Sequence, residues 1–138
     1  MSMTWGELKK NILDLGFDTE YPDGMITASN RAIGLIYHTF LEGYESYFKK
    51  ELSTDSYQWE KPTLTKITET TKDNFNIPIP DKLIELVPLL AAHYAWMDDD
   101  IQKATMYWNE YDSIRNTIET QIQRSQKCTF YPNFSLGW

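Results

Sequence analysis

Val87-Pro88-Leu89-Leu90-Ala91-Ala92-His93-Tyr94-Ala95-Trp96-Met97 is apolar almost all the way round, and it runs straight into Asp98-Asp99-Asp100. A helix that is apolar on every face must be buried on every face. This run therefore reads either as the central helix of a bundle or as a helix with a second face against another subunit. Asp81, next to Pro80, is the expected N-cap of the helix. Pro88 is the expected site of a kink, because proline removes a helical hydrogen bond. After the aspartates, Ile101, Ala104, Trp108, Tyr111, Ile114, Ile118 and Ile122 recur at spacings of three and four. The opposite face is polar, from Gln102 and Lys103 to Glu119. That is an amphipathic helix over 101–122. The short link makes the two an antiparallel pair.

Two more helices precede this pair. Thr4-Trp5-Gly6-Glu7 has the form of a capping box, and Leu8, Ile12 and Leu15 follow on one face. The spacing predicts a helix over 5–15, with Gly16 as a left-handed cap. Pro22-Asp23-Gly24 reads as a turn. A long helix then starts near Thr27 or Ser29 and carries Ala32, Ile33, Ile36, Phe40, Tyr44, Tyr47 and Phe48 to Lys49 and Lys50. Gly43 is a weak point in it.

Residues 52–80 lose helical spacing and gain Ser, Thr, Asp and Pro. Lys61 to Thr71 is Thr-rich and favours an extended strand. Phe75, Ile77 and Ile79 alternate with Asn76, Pro78 and Pro80, a period of two. Together they predict a β-hairpin over 61–79, with Pro78 confining the second strand to an edge. The last residues, 123–138, contain Phe130, Tyr131, Pro132, Phe134, Gly137 and Trp138. A tail with Pro and Gly is expected to leave the helix, and it is too apolar for solvated disorder. It either folds back on its own core or serves as an arm that brings aromatic anchors to a partner, the reading favoured here. The expected fold is thus mainly α: a four-helix bundle-like domain over 1–122, a hairpin inserted between helices two and three, and an extended C-terminal arm over 123–138.

Composition narrows the function classes. The 138 residues fit one domain, and 13 Lys and Arg stand against 20 Asp and Glu, for a net charge of −7. The charge is −3 over residues 1–51, −1 over 52–80, −5 over 81–122 and +2 over 123–138. An acidic chain with scattered cations is poorly suited to wrapping DNA. One cysteine, Cys128, excludes an intrachain disulfide and fits a reducing compartment. No stretch approaches a membrane span, and the polar start MSMTWGELKK is not read as a signal peptide. Five Trp, nine Tyr and six Phe supply more contact area than one small core obviously needs.

Signals of chemistry are sparse. His93, in an apolar run, reads as a hydrogen-bonded core histidine rather than a ligand. Cys128 has no nucleophile signature around it. Asp98-Asp99-Asp100 lacks the alternation and late Glu of a calcium loop, so one aspartate is read as the cap of the following helix. No glycine-rich phosphate loop is present among six glycines. No catalytic residue, metal or cofactor is expected.

The order of elements is more telling. A capped short helix and a long helix entered by Ser29-Asn30-Arg31-Ala32 are followed by the expected Thr-rich hairpin ending in Ile77-Pro78-Ile79-Pro80-Asp81. Then come Val87 to Asp100, Lys103-Ala104 and Tyr107-Trp108-Asn109-Glu110-Tyr111. This order resembles the head–tail connector proteins (adaptor or head-completion proteins) of tailed bacteriophages. The resemblance implies a non-enzymatic virion component at the head–tail interface, assembled in the host cytoplasm. Such proteins form a ring, usually of twelve copies, beneath the portal, where it extends a channel through which DNA passes without specific binding. The implied partners are further copies of the chain, the portal protein, and the next connector, stopper or tail protein, with no membrane. Phe130, Tyr131, Phe134 and Trp138 would grip the portal or a neighbour. Leu64, Ile67, Phe75 and Ile77 would contact the adjacent subunit or the next ring. Leu90, Tyr94, Trp96, Trp108 and Tyr111 would form core or subunit seam. A stopper or tail-completion protein, or a small cellular helical binding module, are the alternatives.

Overall fold

The computed structural model describes residues 3–16 and 22–135, with the backbone alone for 22, 23 and 126–135. Five α-helices follow in order: α1 (Trp5–Asp14), α2 (Pro22–Ile36), α3 (Glu45–Leu52), α4 (Leu86–Trp96) and α5 (Ile101–Ser135). A π-helical turn, Tyr37–Glu42, joins α2 to α3, and a 3₁₀ turn, Asp81–Leu83, precedes α4.

The centre of the domain is α4, packed between α2 and α5 and touching α1. Leu86, Val87, Leu90, Ala91 and Ala92 are buried on it, and Leu89, Tyr94 and Trp96 are half-buried. Both α2 and α4 carry small buried residues, Ala28 and Ala32 on one and Ala91 and Ala92 on the other, which allow close approach. Ile33, Ile36, Phe40, Phe48 and Tyr111 fill the core around them. Each fully buried aliphatic or Phe side chain contributes about 1.5–3 kcal/mol. The all-apolar run is therefore the central helix of this chain, with Leu89, Tyr94, Ala95 and Trp96 left half-buried.

Local chemistry sets most helix ends. The Thr4 hydroxyl accepts from the Glu7 N–H, and the Glu7 carboxylate accepts from the Thr4 N–H, both at 3.3 Å, which completes the capping box. Gly16 closes α1 at a φ of 94°, in the left-handed region. Asp100 caps α5 by accepting from the Lys103 N–H at 3.2 Å. Pro22-Asp23-Gly24 is the first turn of α2 rather than a loop turn, because proline suits the first helical position and asplartate the positive helix end. Pro88 produces no kink. It lies in the first turn of α4, where its missing N–H would have no intrahelical partner.

The long second helix is broken where Gly43 ends the π-helical turn. A Cβ at Gly43 would run into the Thr39 carbonyl oxygen, so the local backbone requires glycine there. The residue is a structural necessity and not merely a weak point.

Two expectations are corrected. No β-hairpin forms over 61–79, and among the described residues there are only isolated bridges. Phe75 to Ile77 does run extended, but its partner is the N-terminal segment. The Trp5 N–H donates to the Phe75 carbonyl, and the Ile77 N–H donates to the Met3 carbonyl, each at 2.8 Å. The Thr-rich segment never pairs with it, because side chains satisfy its backbone first. Asn30 on α2 donates to the Ile67 carbonyl at 2.9 Å and accepts from the Ile67 N–H at 2.8 Å. The Thr71 hydroxyl takes the Thr68 N–H at 2.8 Å. The second correction concerns the tail. Residues 123–135 continue α5 to Ser135 instead of forming an extended arm. Gln123, Arg124, Gln126 and Lys127 are good helix formers and carry the helix past Ile122. Trp138 lies outside the described residues.

Candidate functional site

Residues 53–80 form a long segment without regular structure, laid over the helical body. Its apolar side chains Trp59, Ile67, Ile77 and Ile79 join the core. Polar ties fix the rest. The Tyr37 hydroxyl donates to the Pro62 carbonyl at 2.6 Å, and Lys9 pairs with Asp73 at 2.6 Å. The Gly6 N–H donates to the Asp73 carbonyl at 2.9 Å. A loop of this length in a compact domain is commonly a functional one. Its outer surface carries Tyr57, 56% exposed, and Leu64, 37% exposed. Between residues 57–65 and 75–80 it leaves a groove of about 380 Å³, walled by Tyr57, Trp59 and Glu60 on one side and Phe75, Asn76 and Pro78 on the other.

The residues read from sequence as hairpin contacts thus split. Ile67 and Ile77 are buried in the chain's own core, Phe75 is half-buried, and Leu64 faces out. Of the expected core or seam residues, Leu90 and Tyr111 are fully buried. Tyr94, Trp96 and Trp108 are half-buried, and each ring has a neighbour within the chain. The Arg31 guanidinium lies 4.2 Å from the Tyr94 ring centre, and the Lys103 ammonium lies 4.3 Å from that of Trp96. Trp108 packs between His93 and Tyr111, with centroids 5.1 and 5.2 Å away. Phe130, Tyr131 and Phe134 fall on the last turns of α5, where the described structure stops at the backbone.

No group of three His, Cys, Asp or Glu among the described residues is placed to hold a metal ion. His93 donates through Nδ1 to the Ala104 carbonyl at 2.8 Å, which ties α4 to α5 and leaves the ring a structural part. His38 pairs with Glu42 across the π-helical turn. A polar cluster lies on α5. Arg115 bonds Asp112 and, at 2.9 Å, Glu119, and Glu119 reaches the Tyr44 hydroxyl at 3.4 Å. The hydrogen bond to Asp112, ahead of that to Glu119, raises the Arg115 pKa and holds the guanidinium charged. Beside it, burial pushes the Tyr111 phenol up to about 12, against a smaller lowering by Arg115. Through Tyr44 the cluster ties α5 to the start of α3.

Sequence reasoning missed Asn30, which pins the loop. The available signal was an Asn inside a helix, a residue whose amide must find partners when it is partly buried. No known protein family, no curated protein and no solved structure matches the chain.

Proposed function

We propose that the chain is a structural subunit of a tailed-phage head–tail connector, an adaptor that forms a ring beneath the portal. The ring extends the DNA channel and offers a platform to the next connector or tail component. The reading rests first on the order of elements around Val87 to Asp100 described above. The observation that supports it most is the length of α5. The last buried residue described on α5 is Ile122, yet the helix continues to Ser135. At 1.5 Å per residue that is about 20 Å of helix past Ile122. It carries the positions Phe130, Tyr131 and Phe134. A subunit completed by neighbours has a use for such a segment and for a firmly tied outer loop. A net charge of −7 suits a wall that DNA passes without sticking.

Negative-stain imaging of the purified chain mixed with the portal protein of the proposed phage tests the proposal. The expected image is an added ring stacked on the portal. Truncation after Gln126 should abolish that ring while leaving the helical body folded by circular dichroism. A chain that stays monomeric with portal, and instead binds one soluble protein, would make it a cellular binding module.

A further inference from the structure

Within residues 75–77 the outer edge at Asn76 is unused. Thr4 and Asn76 form an antiparallel bridge whose two hydrogen bonds belong to the flanking residues, Trp5 with Phe75 and Ile77 with Met3. In that geometry the N–H and C=O of Asn76 point away from the N-terminal segment. Neither makes a backbone hydrogen bond among the described residues, and Asn76 is exposed. On that side lies the groove of about 380 Å³. Its volume is within the range that holds small ligands or peptide side chains.

We propose that this groove takes a short extended segment of another protein, added to the free edge at Asn76. The incoming backbone exchanges a pair of hydrogen bonds with Asn76, the recognition used in strand addition. The pairing stays short, because Pro78 and Pro80 have no N–H to offer. Tyr57 and Phe75 supply apolar walls for the side chains next to the paired residue. Among the described residues Glu60 is the one charged side chain lining the groove, so the segment carries a basic residue and no acidic one there. The edge is already rigid: Trp5 and Met3 hold it on the inside, and Ile77 and Ile79 are buried beneath it. A preordered edge binds without the cost of ordering itself. The inference stands apart from the connector reading and does not need it.

The test uses the full chain, labelled with ¹⁵N and titrated with the peptide Ac-Thr-Val-Arg-Val-Thr-amide. Saturable shifts are expected at the Asn76 amide and the Trp59 indole. A peptide with Glu in place of Arg should bind at least about fivefold more weakly, and one N-methylated at its three central residues should not bind. Tyr57→Ser should weaken binding about tenfold with no change in thermal midpoint, since Tyr57 is exposed. Asn76→Pro should abolish the shift at Trp59 in a folded chain. Equal shifts from all three peptides, or unchanged binding by Asn76→Pro, overturn the proposal. Shifts at Asn76 that grow with protein concentration alone would also overturn it, by assigning the groove to a second copy.

Discussion

The helical body and the segment 53–80 lie in the same core but are held by different physics. In the body, α2, α4 and α5 bury apolar stripes against one another, and most of their polar backbone is satisfied within each helix. The segment 53–80 has no such regular ladder and only scattered turn bonds of its own, such as Thr54 with Tyr57 and Thr71 with Thr68. Its backbone is satisfied by Asn30 and Tyr37 from the helices, by Ser53 and Thr71 within itself, and by Met3 and Trp5 from the chain start. The body is therefore robust to the loss of one polar group, and the loop is not. Conversely, a cavity in the body threatens everything, because the loop has nothing to rest on without it.

Leu90→Ala should show the largest effect. Leu90 is fully buried on α4, and its truncation should cost about 3 kcal/mol by urea unfolding, with body and loop probes melting together. Asn30→Ala should cost about 2 kcal/mol by leaving the Ile67 N–H and C=O without their partner. It should raise hydrogen exchange at Ile67 while α4 amides remain protected. Equal loss of protection in both regions would erase the distinction drawn here. Thr4→Ala should cost about 1 kcal/mol through the lost cap, and should loosen the Phe75–Ile77 pairing beside it. Tyr111→Phe gives the smallest effect at neutral pH and shows itself in alkali. Burial raises the Tyr111 pKa from 10.0 to about 12, so the unfolded chain loses that proton first. Stability present below pH 10.0 should therefore fall as pH rises towards about 12, and Tyr111→Phe should flatten that fall. An unchanged alkaline limb would place the titration elsewhere.

The same contrast explains what could be read in advance. Helix periodicity, the Thr4–Glu7 box, Gly16 and the Asp100 cap are local signals, and each has its structural counterpart. The alternation of Phe75 and Ile77 predicts a hairpin strand, whereas the chain there makes only the isolated bridge of Asn76 with Thr4. Its partner could not be read locally, since strand pairing joins residues far apart, here Met3 to Trp5 with Phe75 to Ile77. The Thr-rich segment favoured a strand by propensity, but the Asn30 side chain made the competing bonds. Gly43 was visible, while the π-helical turn that requires it was not. Pro132 suggested a chain that leaves the helix, yet α5 runs through it to Ser135. For the outward-facing residues, Tyr57 and Leu64 among them, no periodicity distinguishes a docking surface from ordinary loop.

Native-state hydrogen exchange on the full chain tests most directly whether residues 53–80 are a fixed platform built on the helices. The amides of Ile67, Ile77 and Trp5 should be protected far above unstructured chain, and Ile67 should lose that protection selectively in Asn30→Ala. Exchange of Ile67 and Ile77 at the rate of an unstructured peptide in the unaltered protein would contradict the account.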